Sequence, residues 1–288
     1  MDFGLSLPIV QQVPGRAQPW EAGAGAAELL QVAQAADRLG FAWITCSDHA
    51  AVPASHLPSM GATWYEPATT LAYLAAATTR VRLLSHVLVL PYRHPLIVAK
   101  TYATLDHLSG GRVIIGTGSG HLKPEFRSLG LDHGQRGAMS DEYLRALATA
   151  LSQEVSSFEG QFVRWRDMIV APRPVQRPRP PIWVGGNNRA VARRAARYAD
   201  GWIPWQLTPE KFAERVSYAR GVRGGGDFAL VAPITVSRTD SAAHLVDRIQ
   251  TWRSAGATAY HVGFESHRLE ELLDRLQWFR DEVMPAAR

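Results

Sequence analysis

Segments with two different hydrophobic patterns alternate along this chain. Short runs of β-branched and other apolar residues are followed by longer segments in which apolar residues recur every three to four positions. Segment 26–39 has the longer period, with Leu29, Val32 and Ala36 on one face and Gly40 placed to end a helix. Alternation of this kind predicts βα units that build a parallel sheet.

The patterns predict eight strands, each followed by a helix. The predicted strands are 3–7, 42–46, 81–90, 113–117, 182–184, 201–204, 229–236 and 259–263. The predicted helices are 26–39, 67–77, 95–109, 136–151, 189–199, 209–220, 242–254 and 269–283. Segment 155–181 interrupts the alternation of strands and helices, with five prolines and a possible turn at Glu159-Gly160. It predicts a hairpin and an extended excursion outside the core.

Eight βα units in 288 residues are typical of the (β/α)8 TIM barrel. A doubly wound sheet is the alternative. The absence of an early G-x-G-x-x-G motif and of a second domain favours the barrel. We therefore expect a single domain over residues 1–288, with the excursion inserted between the fourth and fifth strands.

The composition is that of a globular protein, with 46 % apolar and 20 % charged residues. The net charge of +5 is spread over modest clusters, which disfavours a nucleic-acid partner. Cys46 is the single cysteine, and the chain has neither a basic leader followed by an apolar run nor the ~20 consecutive apolar residues of a membrane span. These features predict a cytoplasmic protein that does not enter a membrane.

In a (β/α)8 barrel the active site lies in the loops at the carboxyl ends of the strands. Asp48 and His49 follow the second strand, where His49 could move protons near neutral pH and Asp48 could accept hydrogen bonds from a ligand ring. The same two residues could instead be a turn cap and a histidine at the rim. His121, after the fourth strand, is a second candidate acid–base group.

Glycines follow two other strands. The run 116–120, which includes Gly118 and Ser119, suits close approach of a flat ligand or a loop with unusual dihedral angles. Four residues between the fifth strand and its helix suit a phosphate, although the last of them could be a plain N-cap. These four are Gly185, Gly186, Asn187 and Asn188.

Trp64, Trp205 and Phe264 are candidates for an apolar substrate pocket, although most of the nine tryptophans are expected in the core or at an interface. We predict no metal site, because the chain lacks H-x-H after the first strand, H-E-x-x-H and any cysteine pair. It also lacks the G-x-S-x-G elbow of many hydrolases.

From end to end, the chain resembles the luciferase-like flavin and deazaflavin oxidoreductase superfamily. The most specific stretch is 100–120, where a helix ends in Leu-Ser-Gly-Gly-Arg and a strand runs into Gly-x-Gly. Segments 180–186 and 199–202 also fit. Ser47-Asp48-His49 is similar to the branch that uses the deazaflavin coenzyme F420, whereas flavin monooxygenases of this fold more often carry Glu-His or His-His there.

The resemblance implies a cofactor lying across the end of the barrel. Asp48 would contact its ring, and His49 would face the reacting carbon. A non-proline cis peptide at His86–Val87 would form a bulge behind the ring. The residues implied to hold the cofactor are Asp48, Ser85, His86, Val87, Gly118, Ser119, Gly185, Gly186, Asn187 and Asn188, with its phosphate at Gly185 and Gly186.

The implied activity is that of an F420-dependent oxidoreductase, a homodimer that moves a hydride between the deazaflavin and a small organic substrate. Sugar-phosphate and alcohol dehydrogenases of this branch carry a catalytic glutamate where His121 stands, so their substrates are not carried over. The alternatives are an FMN-dependent monooxygenase, a non-catalytic cofactor-binding protein and a metal-dependent barrel hydrolase.

Overall fold

The computed structural model describes residues 1–287 and contains eleven strands and eleven α-helices in that range. The strands are β1 (Asp2–Ser6), β2 (Trp43–Cys46), β3 (Arg82–Ser85), β4 (Leu88–Val89), β5 (Val113–Gly118), β6 (Ser156–Glu159), β7 (Arg164–Met168), β8 (Ile182–Gly185), β9 (Gly201–Ile203), β10 (Ala229–Val236) and β11 (Ala259–Phe264). The helices are α1 (Ala26–Leu39), α2 (Leu57–Met60), α3 (Pro67–Ala75), α4 (Pro95–Leu108), α5 (Lys123–Ser128), α6 (Arg136–Ser152), α7 (Arg189–Tyr198), α8 (Pro209–Arg223), α9 (Ala242–Ser254), α10 (Leu269–Trp278) and α11 (Met284–Ala286).

The parallel sheet closes on itself, because β1 pairs with β2 on one side and with β11 on the other. Strands β3 and β4 together form one barrel strand, since both pair with β5, before and after a break at His86 and Val87. The barrel therefore has eight strands in parallel, and the predicted (β/α)8 architecture is confirmed.

The lower interior of the barrel is filled by one apolar layer. Seven of the eight barrel strands each contribute one side chain to it: Trp43, Leu84, Ile114, Trp183, Ile203, Val231 and Ala259. The remaining strand, β1, carries Gly4, and a Cβ atom there would collide with the Trp43 indole. Packing of this layer closes that end of the barrel and leaves the opposite end for ligands.

Two buried carboxylates fasten the excursion between the fourth and fifth barrel strands. Strands β6 and β7 pair antiparallel, and Glu142 of α6 accepts three backbone N–H bonds (2.7, 2.8 and 2.9 Å) from residues 161–163 in their turn. Asp106 of α4 accepts N–H bonds from Val175 (2.8 Å) and Gln176 (3.1 Å) in the proline-rich part. The predicted hairpin is confirmed, but its turn takes residues 160–163 and not two residues alone.

The predicted strands and long helices lie close to the observed ones. The strand expected over 81–90 is interrupted at His86–Val87, and the helix expected over 269–283 ends as an α-helix at Trp278 and continues as a π-helical turn. Helices α2, α5 and α11 were not predicted because each is six residues long or shorter. No helix within residues 1–287 is long and apolar enough to cross a membrane.

Candidate active site

His49 sits at the carboxyl end of the barrel, here called the mouth. The mouth is bordered by residues 47–49, 86–87, 118–121, 185–188, 205 and 263. The His49 ring contacts two other rings edge to face, with centroids 4.4 Å from Trp64 (69° between planes) and 5.6 Å from His121 (89°). Its side chain is only 7 % exposed. The structure thus brings together three residues that the sequence singled out separately.

The His49 ring is oriented by Glu125, which sequence reasoning missed. Nδ1 of His49 is 2.9 Å from Oε2 of Glu125. That carboxylate also accepts from the Tyr92 hydroxyl (2.7 Å) and from the backbone N–H groups of Ala50 (2.5 Å) and Ala51 (3.2 Å). The only available signal was Pro124 after the fourth strand, because proline commonly begins a helix and would place Glu125 in its first turn near the mouth.

Glu125 is a buried carboxylate held in its ionised form. Burial raises the pKa of Glu125. The opposite effect is larger and comes from the hydrogen bonds of His49 and Tyr92, the charge of His49 and the Ala51 N–H. The net pKa of Glu125 therefore lies below its ordinary value. An ionised acceptor requires Nδ1 of His49 to carry the proton. Nε2 then faces away from Glu125 and makes no hydrogen bond within residues 1–287, so it is free to accept or return a proton.

His121 is exposed beside His49. Burial of its ring and the positive charge of His49 lower its pKa, which favours the neutral form. Its backbone carbonyl accepts from the His133 ring, at 3.1 Å from Nε2. The role of His121 as a second acid–base group stays a prediction.

Both carboxylate oxygens of Asp48 bind other residues of the protein. Its carboxylate is buried and forms a two-bond ion pair with Arg93 (2.6 and 3.0 Å) while accepting the Val89 N–H at 2.9 Å. It therefore does not cap a local turn, since Val89 is far away in the chain. Because both oxygens already have partners, Asp48 ties the end of β2 to the third barrel strand, and its contact with a cofactor ring stays a prediction.

The bulge in the third barrel strand contains the expected cis peptide between His86 and Val87. The neighbouring Ser85 side chain is fully buried and exchanges hydrogen bonds with the backbone of Gly116 (2.9 and 3.1 Å). The expectation that Ser85 reaches a cofactor is not supported by this position, because its hydroxyl ties two strands together. The Val87 side chain lies between Gly118 and Gly185, where added Cβ atoms would come within 2.6 and 2.5 Å of its methyl groups.

We expect Gly118→Ala to destabilise the protein by about 1–3 kcal/mol, because the new methyl group would overlap Val87 in a packed interior. Gly263→Ala is the matched control, since a Cβ atom on that strand glycine would meet nothing within 4 Å. Its effect should stay within about 0.5 kcal/mol. Urea unfolding of both variants measures the difference, and equal midpoints would contradict the packing of Val87 described above.

The glycine turn after β8 leads into α7. Gly186 has φ +128°, which strongly favours glycine, and packs on Val191. Asn188 caps α7 by accepting the Val191 N–H at 2.9 Å, so its N-cap role is confirmed, while Asn187 accepts the Trp205 N–H at 2.9 Å. Both amide oxygens are thereby occupied, and a phosphate at this helix terminus stays a prediction.

Ser119 does not stand free in the mouth. Its hydroxyl accepts a hydrogen bond of 3.0 Å from Arg194, a buried residue of α7 that also pairs with Asp141. Ser119 therefore helps to fix the middle of α7 against the loop after β5, and its contact with a cofactor stays a prediction.

Phe264 was wrongly assigned to the pocket. It packs on the outer side of the barrel against Phe41 and Phe279, at centroid distances of 6.4 and 5.4 Å. Side chains alternate along a strand, so the inward positions of β11 are those of His261 and Gly263. Trp205, by contrast, is 39 % exposed at the mouth. Counting every second residue from Ala259, which faces inward, leads to His261.

His261 and His86 are two buried imidazoles inside the barrel, with ring centroids 4.5 Å apart. Burial lowers the pKa of His86 to about 4. Burial, and then the neighbouring His86, lower the pKa of His261 well below its ordinary value. Both rings are neutral at pH 7.

These shifts predict a loss of stability in mild acid. As the pH falls from about 6.5 towards 4, these two histidines bind protons in the unfolded chain but stay neutral in the folded protein. Each unit by which a histidine's pKa is lowered on folding removes up to about 1.4 kcal/mol from the free energy of unfolding. The free energy of unfolding from urea titrations at pH 7, 6 and 5 should therefore fall. The decline should be smaller in His86→Leu, and an unchanged pH dependence in that variant would contradict the assignment.

Within residues 1–287 there is no cluster of three or more histidine, cysteine, aspartate or glutamate side chains placed to hold a metal ion.

Among curated proteins, the FMNH2-dependent dimethylsulfone monooxygenase of Pseudomonas putida is 35 % identical over 177 residues, which cover 60 % of this chain and 47 % of the relative. An uncharacterised protein of Mycobacterium tuberculosis is 40 % identical over 140 residues, 48 % of this chain and 49 % of the relative. The chain thus spans about half the length of the curated relatives it matches.

Solved structures show the same fold over the whole chain. The monooxygenase RslO1 from Streptomyces bottropensis superposes with a TM-score of 0.76 at 24 % identity, covering 100 % of both chains. An F420-dependent secondary alcohol dehydrogenase in complex with an F420-acetone adduct gives 0.79 at 16 % identity, covering 100 % of this chain and 99 % of that one. The F420-dependent tetrahydromethanopterin reductase of Methanopyrus kandleri gives 0.78 at 17 %, with the same coverage.

The sequence profile described as "Luciferase-like monooxygenase" matches residues 1–287. It covers the closed barrel, the bulge at His86–Val87 and the loops that carry His49 and Glu125. The chain is therefore a member of the luciferase-like monooxygenase family.

Proposed function

We propose that the protein is an oxidoreductase that binds coenzyme F420 across the mouth and transfers a hydride between it and a small organic molecule. One observation carries the proposal: His49 is fixed by a buried carboxylate with its Nε2 free, at the end of the barrel where such enzymes bind their ligands. The Ser47-Asp48-His49 sequence favours the deazaflavin over a flavin.

The residues present fit a flat cofactor. Val87, wedged between Gly118 and Gly185, provides an apolar wall, and Gly263 leaves open space on another side of the mouth. The backbone N–H groups at the start of α7, beside Gly186, suit a phosphate. Coenzyme F420 supplies two-electron hydride chemistry when bound.

The side chains around that space have separate tasks. Nε2 of His49 takes or returns the proton that accompanies the hydride, while Glu125 and Tyr92 keep the ring in one orientation. Trp64 covers one side of His49 and limits access of water. His121 is the second proton-transfer group within reach of the same space.

A second candidate function is an FMNH2-dependent monooxygenase. The observation that favours it is the 35 % identity, over 177 residues, to the FMNH2-dependent dimethylsulfone monooxygenase.

Titration of the purified protein with F420 and, separately, with FMN and FMNH2 tests the two candidates. Quenching of cofactor or tryptophan fluorescence gives the dissociation constants. Tight binding of F420 with little binding of FMN or FMNH2 supports the first proposal. Binding of FMN or FMNH2 alone would overturn it in favour of the monooxygenase, and binding of neither would overturn both.

A further inference from the structure

The excess positive charge of this chain lies on two helices that pack side by side. Residues 189–223, which contain α7 and α8, hold eight basic and three acidic residues, whereas the rest of the chain holds 23 of each sign. The Arg189 guanidinium of α7 stacks on the Tyr218 ring of α8, 4.1 Å from its centroid. Arginine clusters that are modest along the sequence therefore combine to make one side of the barrel basic.

The outer face of α7 consists almost entirely of arginine. Arg189 and Arg197 are exposed, Arg193 is half-buried between them, and Ala190 is the other exposed residue of this helix. A spacing of four residues places the three arginines in one row, here called the arginine row, about 12 Å long. By contrast, the exposed residues of α10 are acidic or amide residues: Glu270, Asp274 and Gln277. The arginine row is thus a property of α7 and not of every helix surface.

The arginine row has hydrogen-bond donors to spare. Arg197 forms no hydrogen bond or ion pair within residues 1–287. Arg193 is 3.8 Å from Asp141, whose carboxylate is bound more closely by a second arginine of α7. Arg189 uses the face of its guanidinium against Tyr218, which leaves its N–H edge open. Because a guanidinium carries five N–H donors in one plane, the row can bind carboxylates without breaking existing bonds.

The arginine row begins at the mouth. Arg189 is the first residue of α7 and stands three positions after Gly186, beside the proposed phosphate site. A helix that follows a barrel strand runs back along the outside of the barrel, so the row leads away from the mouth. An acidic chain that continues outward from a phosphate at Gly186 would meet Arg189 first and Arg197 last.

We propose that the arginine row binds the chain of glutamates that coenzyme F420 carries beyond its phosphate. This inference rests on the proposed function. The row would favour F420 over FMN, because FMN ends at its phosphate and has no carboxylates to offer. Each exposed ion pair contributes only a factor of about two to five, so three pairs together contribute about tenfold or more. The row thus adds affinity and cofactor selection and takes no part in proton transfer at His49.

The test compares F420 that carries several glutamates with the same deazaflavin ending at its phospholactyl group. Fluorescence titration gives both dissociation constants for the wild type, for Arg193→Glu/Arg197→Glu and for Arg38→Glu/Arg280→Glu. The last variant is a matched control, because it changes the charge equally at two exposed arginines away from α7. We expect the wild type to bind the glutamate-bearing form about tenfold more tightly, with a smaller ratio as salt is added. The ratio should fall to about one in the row variant, with little change for the form without glutamates, and should persist in the control.

A second variant, Arg193→Ala/Arg197→Ala, removes the charges without reversing them and decides the result if the glutamate variant is unstable. Equal affinity of the wild type for the two forms, or a ratio that falls equally in the control, would overturn the inference and leave the proposed function intact. A short single-stranded DNA that binds through Arg193 and Arg197 and is not displaced by F420 would also overturn it, because the row would then serve a nucleic acid. A wild type that binds neither form would overturn both the inference and the proposed function.

Discussion

Replacing His49 by alanine is expected to lower the turnover number by about 100-fold or more, while the dissociation constant of the cofactor changes by only a few fold. A positioned general acid–base group contributes on the order of 10²–10⁴ to the rate, and in the proposed function Nε2 of His49 is that group. The measurement is the single-turnover rate with preloaded cofactor and a substrate found by screening, together with a fluorescence titration of the cofactor.

Two further variants make the result specific to the His49–Glu125 unit. Glu125→Gln should lower the turnover number by a smaller factor, because the ring loses its charged acceptor but keeps a neighbour of similar shape. His107→Ala removes an exposed histidine near the end of α4 and should leave both quantities unchanged. If His49→Ala retained a tenth or more of the wild-type rate, another residue would carry the proton transfer.

Replacing Asp48 by alanine is expected to lower the free energy of unfolding by about 3 kcal/mol. The substitution would leave a largely buried Arg93 guanidinium without its two short hydrogen bonds and the Val89 N–H without an acceptor. Breaking a buried ion pair at one partner typically costs about 3–5 kcal/mol. Arg93 also lies 3.5 Å from the more exposed Glu66, which places the expectation at the lower end of that range. Urea unfolding at pH 7 measures the change.

Asp281→Ala is the control for this prediction. Asp281 forms an ion pair of 3.6 Å with Arg280, in which both side chains are about half exposed, and such surface pairs contribute about 0–1 kcal/mol. The double variant Asp48→Leu/Arg93→Leu should be more stable than Asp48→Ala, because it leaves no unpaired charge. Similar losses in Asp48→Ala and Asp281→Ala would mean that the Asp48–Arg93 pair contributes little to the fold.

The sequence was sufficient for the barrel because βα periodicity repeats and each strand is bounded by recognisable turns. Segment 26–39, ended by Gly40, is the clearest case, since its observed limits are the predicted ones. The break at His86–Val87 could not come from periodicity, because Leu83, Leu84, Leu88 and Val89 look like one continuous buried strand. Only the family resemblance indicated it.

The candidate site was predicted less completely, since its contacts join residues far apart in the chain. His49 was found from its place after a strand, but Glu125, 76 residues away, is an acidic residue in a short helix with no distinctive spacing. Asp48 was assigned to a ligand because nothing local indicated Arg93 as its partner. The assignment of Phe264 to the pocket was wrong for a different reason. It used the position of Phe264 at the end of β11 and ignored the alternation of inward and outward side chains along a strand.

Closure of the barrel by its last strand has a consequence for how the protein is made. Strand β11 fits between β1 and β10, so a growing chain holds an open sheet until residues 259–264 have left the ribosome. His261 joins His86 only at that final step. Until then the edges of β1 and β10 remain unpaired, which is the kind of exposed strand that invites aggregation during synthesis. The carboxyl-terminal part of the chain thus determines when the site becomes complete.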